Sequence, residues 1–128
     1  MPVNWTVHSS GRFAVLTIED PHTFDEWRST VLAMIAATSA SPQMCLLVDR
    51  RLSAPPSAED VKHMIDFFER NRPALARRAA AIVVADDAGF GVARMIELRS
   101  RLELPDGTIR VFRQYDDAVK WLSDRSPA

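Results

Sequence analysis

Two stretches of this 128-residue chain are apolar almost without interruption: Met44-Cys45-Leu46-Leu47-Val48 and Ala79-Ala80-Ala81-Ile82-Val83-Val84. Neither alternates. A strand with one wet face shows a polar residue at every second position; a strand buried on both faces of a parallel sheet does not. Parallel neighbours need long crossovers, and the intervening segments can supply them. Trp27, Val31, Met34 and Ile35 fall at helical spacing before the first run, and Val61, Met64, Ile65 and Phe68 before the second. Such a chain folds by right-handed strand-helix-strand crossovers into a largely parallel sheet.

The remaining segments extend this pattern. Trp5–His8 and Phe13–Ile18 flank Ser9-Ser10-Gly11, which predicts an opening β-hairpin. Thr23 with Glu26 forms a capping box at the start of the first helix, and Ser57 is the N-cap of the second. Asn71-Arg72-Pro73 stops or interrupts that second helix. A third helix is expected from Gly89 or Gly91 to near Leu104. Pro105-Asp106-Gly107 then turns the chain into a last, alternating strand, Thr108–Phe112. Ala118, Trp121 and Leu122 mark a final helix over Tyr115–Ser123. The order is ββαβαβαβα: one α/β domain over residues 1–128, ordered from near residue 4 to near 123. Its mixed, mostly parallel sheet is flanked by about four helices.

Composition narrows the function. With 16 Lys and Arg against 17 Asp and Glu, the net charge of −1 lacks the basic excess of a general nucleic-acid binder. Cys45 is the sole cysteine, so an intrachain disulfide and a multi-cysteine metal site are both excluded. The start, Met1-Pro2-Val3-Asn4-Trp5, has no basic segment leading into an apolar core, and no apolar run approaches a membrane span. The expected location is the cytoplasm, with no transmembrane segment.

The segment VVADDAGFGVARM, Val83 to Met95, looks like a phosphate loop and is not one. The dinucleotide fingerprint fails at Arg94, and no Gly-Lys-Ser or Gly-Lys-Thr occurs anywhere. Asp86 and Asp87 already occupy the helix end where a phosphate would sit. Gly89 is read as easing the turn and Gly91 as letting the helix approach the sheet. His22 lies among Asp20, Asp25 and Glu26, a grouping read as a solvated loop at a helix start. His63 borders an apolar stripe. No nucleophile elbow is present, and Cys45 lies within a strand. No catalytic, cofactor-binding or metal-binding residue is therefore assigned, and the expectation is a non-enzymatic protein.

Three basic groups remain: Arg70, Arg72, Arg77 and Arg78 around Pro73, and the pairs Arg50-Arg51 and Arg99-Arg101. Such clusters are read mainly as solvated surface. The loop from Arg50 to Ser57 leaves the carboxyl end of a central strand, the edge where open α/β sheets place ligands and partners. With the turn at Asp86–Gly91, it makes Arg50, Arg51, Ser53, Ser57, Asp86, Asp87 and Phe90 the candidate interaction or modification surface.

The stretches CLLVDRR, AAAIVVADDAGFGVARMIE and IRVFRQYDDAVKWLS resemble the SpoIIAA-like group, small bacterial proteins related to the STAS domain. The likeness runs from Phe13 to Ser123 and rests mostly on structural positions. It implies a mixed sheet flanked by helices and a regulatory module that binds partner proteins, sometimes nucleotides or lipids. Anti-sigma factor antagonists of this type are phosphorylated on a serine within an Asp-Ser-Ser-Gly-like motif. The matching region here reads DRRLSAPPSAEDV, where Ser57 is the nearest positional equivalent and the motif itself is missing. The leading expectation is a cytoplasmic regulatory or protein-binding module whose partner is another protein or a second copy of itself. The alternative is a carrier of a small apolar or lipid-like ligand, held between sheet and helices by Met34, Met64, Met95, Phe67 and Phe68.

Overall fold

Five strands lie side by side in chain order in the computed structural model, which describes residues 2–75, 78–103 and 108–125. They are β1 (Val3–Val7), β2 (Phe13–Glu19), β3 (Cys45–Leu52), β4 (Ala79–Val83) and β5 (Thr108–Phe112). The β1–β2 hairpin is antiparallel, and every later pairing is parallel. This is the expected mixed sheet. Between and after the strands come α1 (Phe24–Ala37), α2 (Ala58–Arg70), α3 (Arg72–Leu75), α4 (Asp87–Glu103) and α5 (Tyr115–Arg125). The short α3 is an addition to the expected order. Pro73 ends α2 as anticipated, but a proline is tolerated in a first turn, so helix resumes there. The turn expected at Pro105–Gly107 lies outside the described residues.

The sheet has two differently covered faces. Val3, Leu16, Ile18 and Leu46 point to the face on which α1, α2 and α4 pack. Phe13, Val15, Leu47 and Val83 point to the other, where α5 sits with Ala118, Trp121 and Leu122. Side chains alternate along a strand, so neighbours Leu46 and Leu47 belong to opposite layers. That double burial is why β3 and β4 read as unbroken apolar runs.

Local chemistry sets the helix starts. In α1 the Glu26 N–H donates to Thr23 Oγ1 at 3.1 Å, and the Thr23 N–H donates to Glu26 Oε1 at 3.0 Å, completing the capping box. The Asp60 N–H donates to Ser57 Oγ at 3.1 Å, so Ser57 caps α2. The start of α4 differs from expectation. It begins at Asp87 because Asp86 is its cap, its Oδ1 accepting from the Gly89 N–H at 2.7 Å. The close approach also falls on Gly89 and not on Gly91. A Cβ on Gly89 would meet Val84 Cβ at 3.2 Å, whereas one on Gly91 would meet nothing within 4 Å. No helix among the described residues is long and apolar enough to cross a membrane.

A hollow under three helices

On the α5 face of the sheet Phe13, Leu47, Val83, Ala118 and Leu122 are fully buried, whereas the three-helix face holds a hollow. A cavity of about 410 Å³ lies between sheet and helices. Leu46, Val48, Ala80 and Ile82 floor it; Trp27 and Met34 of α1, Met64 of α2 and Ile96 of α4 wall it. The cause is visible in the side chains. Ala80 sits where a central strand normally carries a branched residue, and Ala93 faces the hollow from α4. Two alanines leave the helices without enough volume beneath them to close the layer.

Two buried arginines lie toward opposite ends. Arg78, 4% exposed, precedes β4 and is well partnered. Its Nε donates to the Ala74 carbonyl at 2.9 Å and its Nη1 to the Met44 carbonyl at 3.2 Å. Burial pulls its pKa down, with a small opposing effect from Cys45. Arg50, 8% exposed, lies toward the carboxyl end of β3. Its guanidinium makes no hydrogen bond and no ion pair among the described residues. Burial lowers its pKa, and the more distant charges of Asp20 and Asp60 raise it less than burial lowers it. An arginine remains charged after such a shift, so this is a buried cation with only long-range compensation.

Trp27 lines the same hollow at 4% exposure. Its ring meets Phe24 at 5.5 Å, Phe67 at 5.1 Å and Phe68 at 6.0 Å between centroids. Its Nε1–H has no acceptor among the described residues. Arg50 and Trp27 also both line a smaller recess with Asp20, His22, Ser57 and Asp60. There one Asp20 oxygen accepts from the Ala54 N–H. The other lies 3.1 Å from His22 Nδ1, close enough to pair when the ring is protonated but not aligned as a hydrogen bond.

The candidate surface divides on this geometry. Arg50, Arg51, Ser53 and Asp86 line the cavity. Arg50 and Arg51 do so from β3 itself, which runs to Leu52, and not from a loop. Arg51 turns its side chain to the α5 layer, where it chelates Asp49 (2.9 and 2.8 Å) and lies 4.7 Å over the Tyr115 ring. Ser57 lines only the smaller recess. Asp87 pairs with Arg113 at the surface, and Phe90 packs against the cluster of Ile82, Val84, Ala93 and Val111. Of the residues proposed to wall an apolar site, Met34, Met64 and Phe68 do. Met95 does not, being 49% exposed, and Phe67 is buried in the aromatic cluster behind Trp27. The arginine cluster at Pro73 is not one surface patch, since Arg78 points inward. Arg77 and the side chains of Arg99 and Arg101 lie outside the described residues.

The Asp49–Arg51 pair carries a pH dependence. Burial pushes the Asp49 carboxyl up, but the hydrogen bonds and charge of Arg51 together outweigh it, and the net pKa falls below the usual range. A depressed folded-state pKa adds stability above the unfolded value near about 4, and that stability is lost as pH falls through the folded pKa. Asp49→Asn is expected to lower stability at neutral pH by roughly 1 kcal/mol, given the half-exposed arginine. The gap to the parent should close below about pH 4. Urea melts at pH 7 and pH 3 measure this, and a gap of equal size at both would remove the pair from the acid response.

Compared with protein-family models, with curated proteins and with solved structures, the chain finds no match.

Proposed function

We propose that this domain binds a small apolar molecule in the cavity under α1, α2 and α4, as a carrier or a ligand-responsive module. The observation that carries this reading is the cavity itself. Its volume of about 410 Å³ falls within the range of small-molecule sites, roughly 300–1,000 Å³. Its walls are almost wholly apolar, with a few polar groups at the ends, which is how such sites combine affinity with orientation. In this reading the domain holds its ligand without transforming it. The likeness to the SpoIIAA-like group belongs to the same proposal. A regulatory role then means that the ligand alters the surface shown to a partner. Leu52, which lines the cavity rim and is 65% exposed, is where such a change would be felt first.

The test is a melting series with linear 1-alkanols of six to fourteen carbons. A ligand bound to the folded state alone stabilises it by RT ln(1 + [L]/Kd). The melting temperature is expected to climb with chain length and then stop once the hollow is full. A flat series, with no alkanol raising it, would sink the proposal and return the exposed apolar side chains to a protein-docking role.

A further inference from the structure

We propose that the cavity is built for an amphiphile with a single carboxylate, its chain in the hollow and its head at Arg50 and the Trp27 indole. This rests on the reading of the cavity as a ligand site and adds the chemical class of the ligand.

The argument starts from two polar groups that are more than nine-tenths buried and lack a local partner. Buried polar atoms are hydrogen-bonded in the great majority of cases, and buried charges are paired. The Trp27 Nε1–H is buried without an acceptor, Arg50 is a charged side chain 8% exposed with no hydrogen bond or ion pair among the described residues, and both line the same two hollows. Their chemistry agrees. Each is a donor with no acceptor capacity, so the group that satisfies both must be an acceptor. A guanidinium also matches a carboxylate geometrically, through two parallel N–H donors.

Arg78 is the internal control. It is as deeply buried and lines the same cavity, yet two backbone carbonyls satisfy it. The head is therefore assigned to the Arg50 end. Met44, which holds Arg78, and Arg50 are six residues apart along the chain. At about 3.3 Å per residue the backbone between them spans roughly 20 Å, the scale of an extended chain of ten to fourteen carbons.

Charge selects a carboxylate over a phosphate. Asp20 and Asp60 flank the recess that Arg50 shares. Asp20 accepts from the Ala54 N–H, and Asp60 lies at the positive end of α2. One negative charge completes Arg50 in this setting. A second would add to the repulsion from those two carboxylates.

The experiment is calorimetric titration of the full chain, and of Arg50→Met and Arg50→Lys, with dodecanoate, 1-dodecanol and dodecyl phosphate at pH 8, below their micelle concentrations. The parent is expected to bind dodecanoate at least tenfold tighter than dodecanol. Arg50→Met should lose that preference while still binding dodecanol, which shows that it is folded with its hollow intact. Arg50→Lys should keep part of it. Equal affinity for acid and alcohol in the parent, or an unchanged preference in Arg50→Met, would overturn the assignment of the head and leave the cavity reading standing. Tighter binding of dodecyl phosphate than of dodecanoate would overturn the carboxylate class. Binding of none of the three would bring down the cavity reading itself.

Discussion

Leu47→Ala is expected to cost about 3–5 kcal/mol, and Leu46→Ala, one residue earlier on β3, only about 2. Chemistry and strand are the same in both, so propensity and transfer free energy nearly cancel. What differs is the layer each faces. Leu47 is fully buried against Phe13, Val83, Trp121 and Leu122, where α5 closes the sheet. Truncation there opens a void that close-packed neighbours cannot fill, and a buried leucine loses most of its dispersion contacts. Leu46 borders the cavity, so part of its surface already lacks a protein neighbour. Removing it enlarges an existing hollow and forfeits fewer contacts. Urea unfolding of the two variants decides it. Equal losses, or a larger loss for Leu46→Ala, would mean that the three-helix face is as tightly packed as the other.

The same asymmetry explains which parts of the molecule could be read from its residues. The strand and helix order follows from period and capping, and the capping box at Thr23 and the cap at Ser57 form as their side chains dictate. The end of β3 is masked by its charges. Asp49-Arg50-Arg51 looks like the start of a loop because strands seldom carry three charges in a row. It remains strand because Asp49 and Arg51 pair with each other on the α5 side while Arg50, two residues beyond Val48, faces the helices. Continuing the period of two past Val48 would have placed Arg50 inward. The close approach falls on Gly89 and not Gly91 because α4 starts at Asp87, which the Asp86 cap allows and the glycines alone do not reveal. The cavity left one trace in the sequence: Ala79-Ala80-Ala81, where a doubly buried strand usually carries β-branched residues. That trace suggests missing volume, but it cannot say which face lacks it. Trp27 and Arg50 lie 23 residues apart in sequence, and the packing of α1 on β1 and β2, beside β3, brings both to one recess.

Ala80→Leu separates a functional hollow from a packing defect. Ala80 pairs with Leu46 across the β3–β4 ladder and points into the cavity floor. A leucine there occupies the volume that an alkyl chain would take. Overpacking normally costs about 1–3 kcal/mol, but only where the site is already full. Here the added methyl groups enter open space and bury apolar surface, each contributing about 0.8 kcal/mol. The ligand-free variant is therefore expected to be as stable as the parent or up to about 2 kcal/mol more stable. Its affinity for dodecanoate and for dodecanol should fall by at least tenfold together, because the lost space serves the chain and not the head. Arg50→Met has the opposite signature, sparing the alcohol and weakening the acid. Denaturant melts paired with calorimetry read both quantities. Undiminished binding in Ala80→Leu would place the ligand somewhere other than this cavity. A loss of stability would show that the site holds no spare volume. A more stable protein that no longer binds is the result expected of a domain that keeps its core incomplete for a ligand.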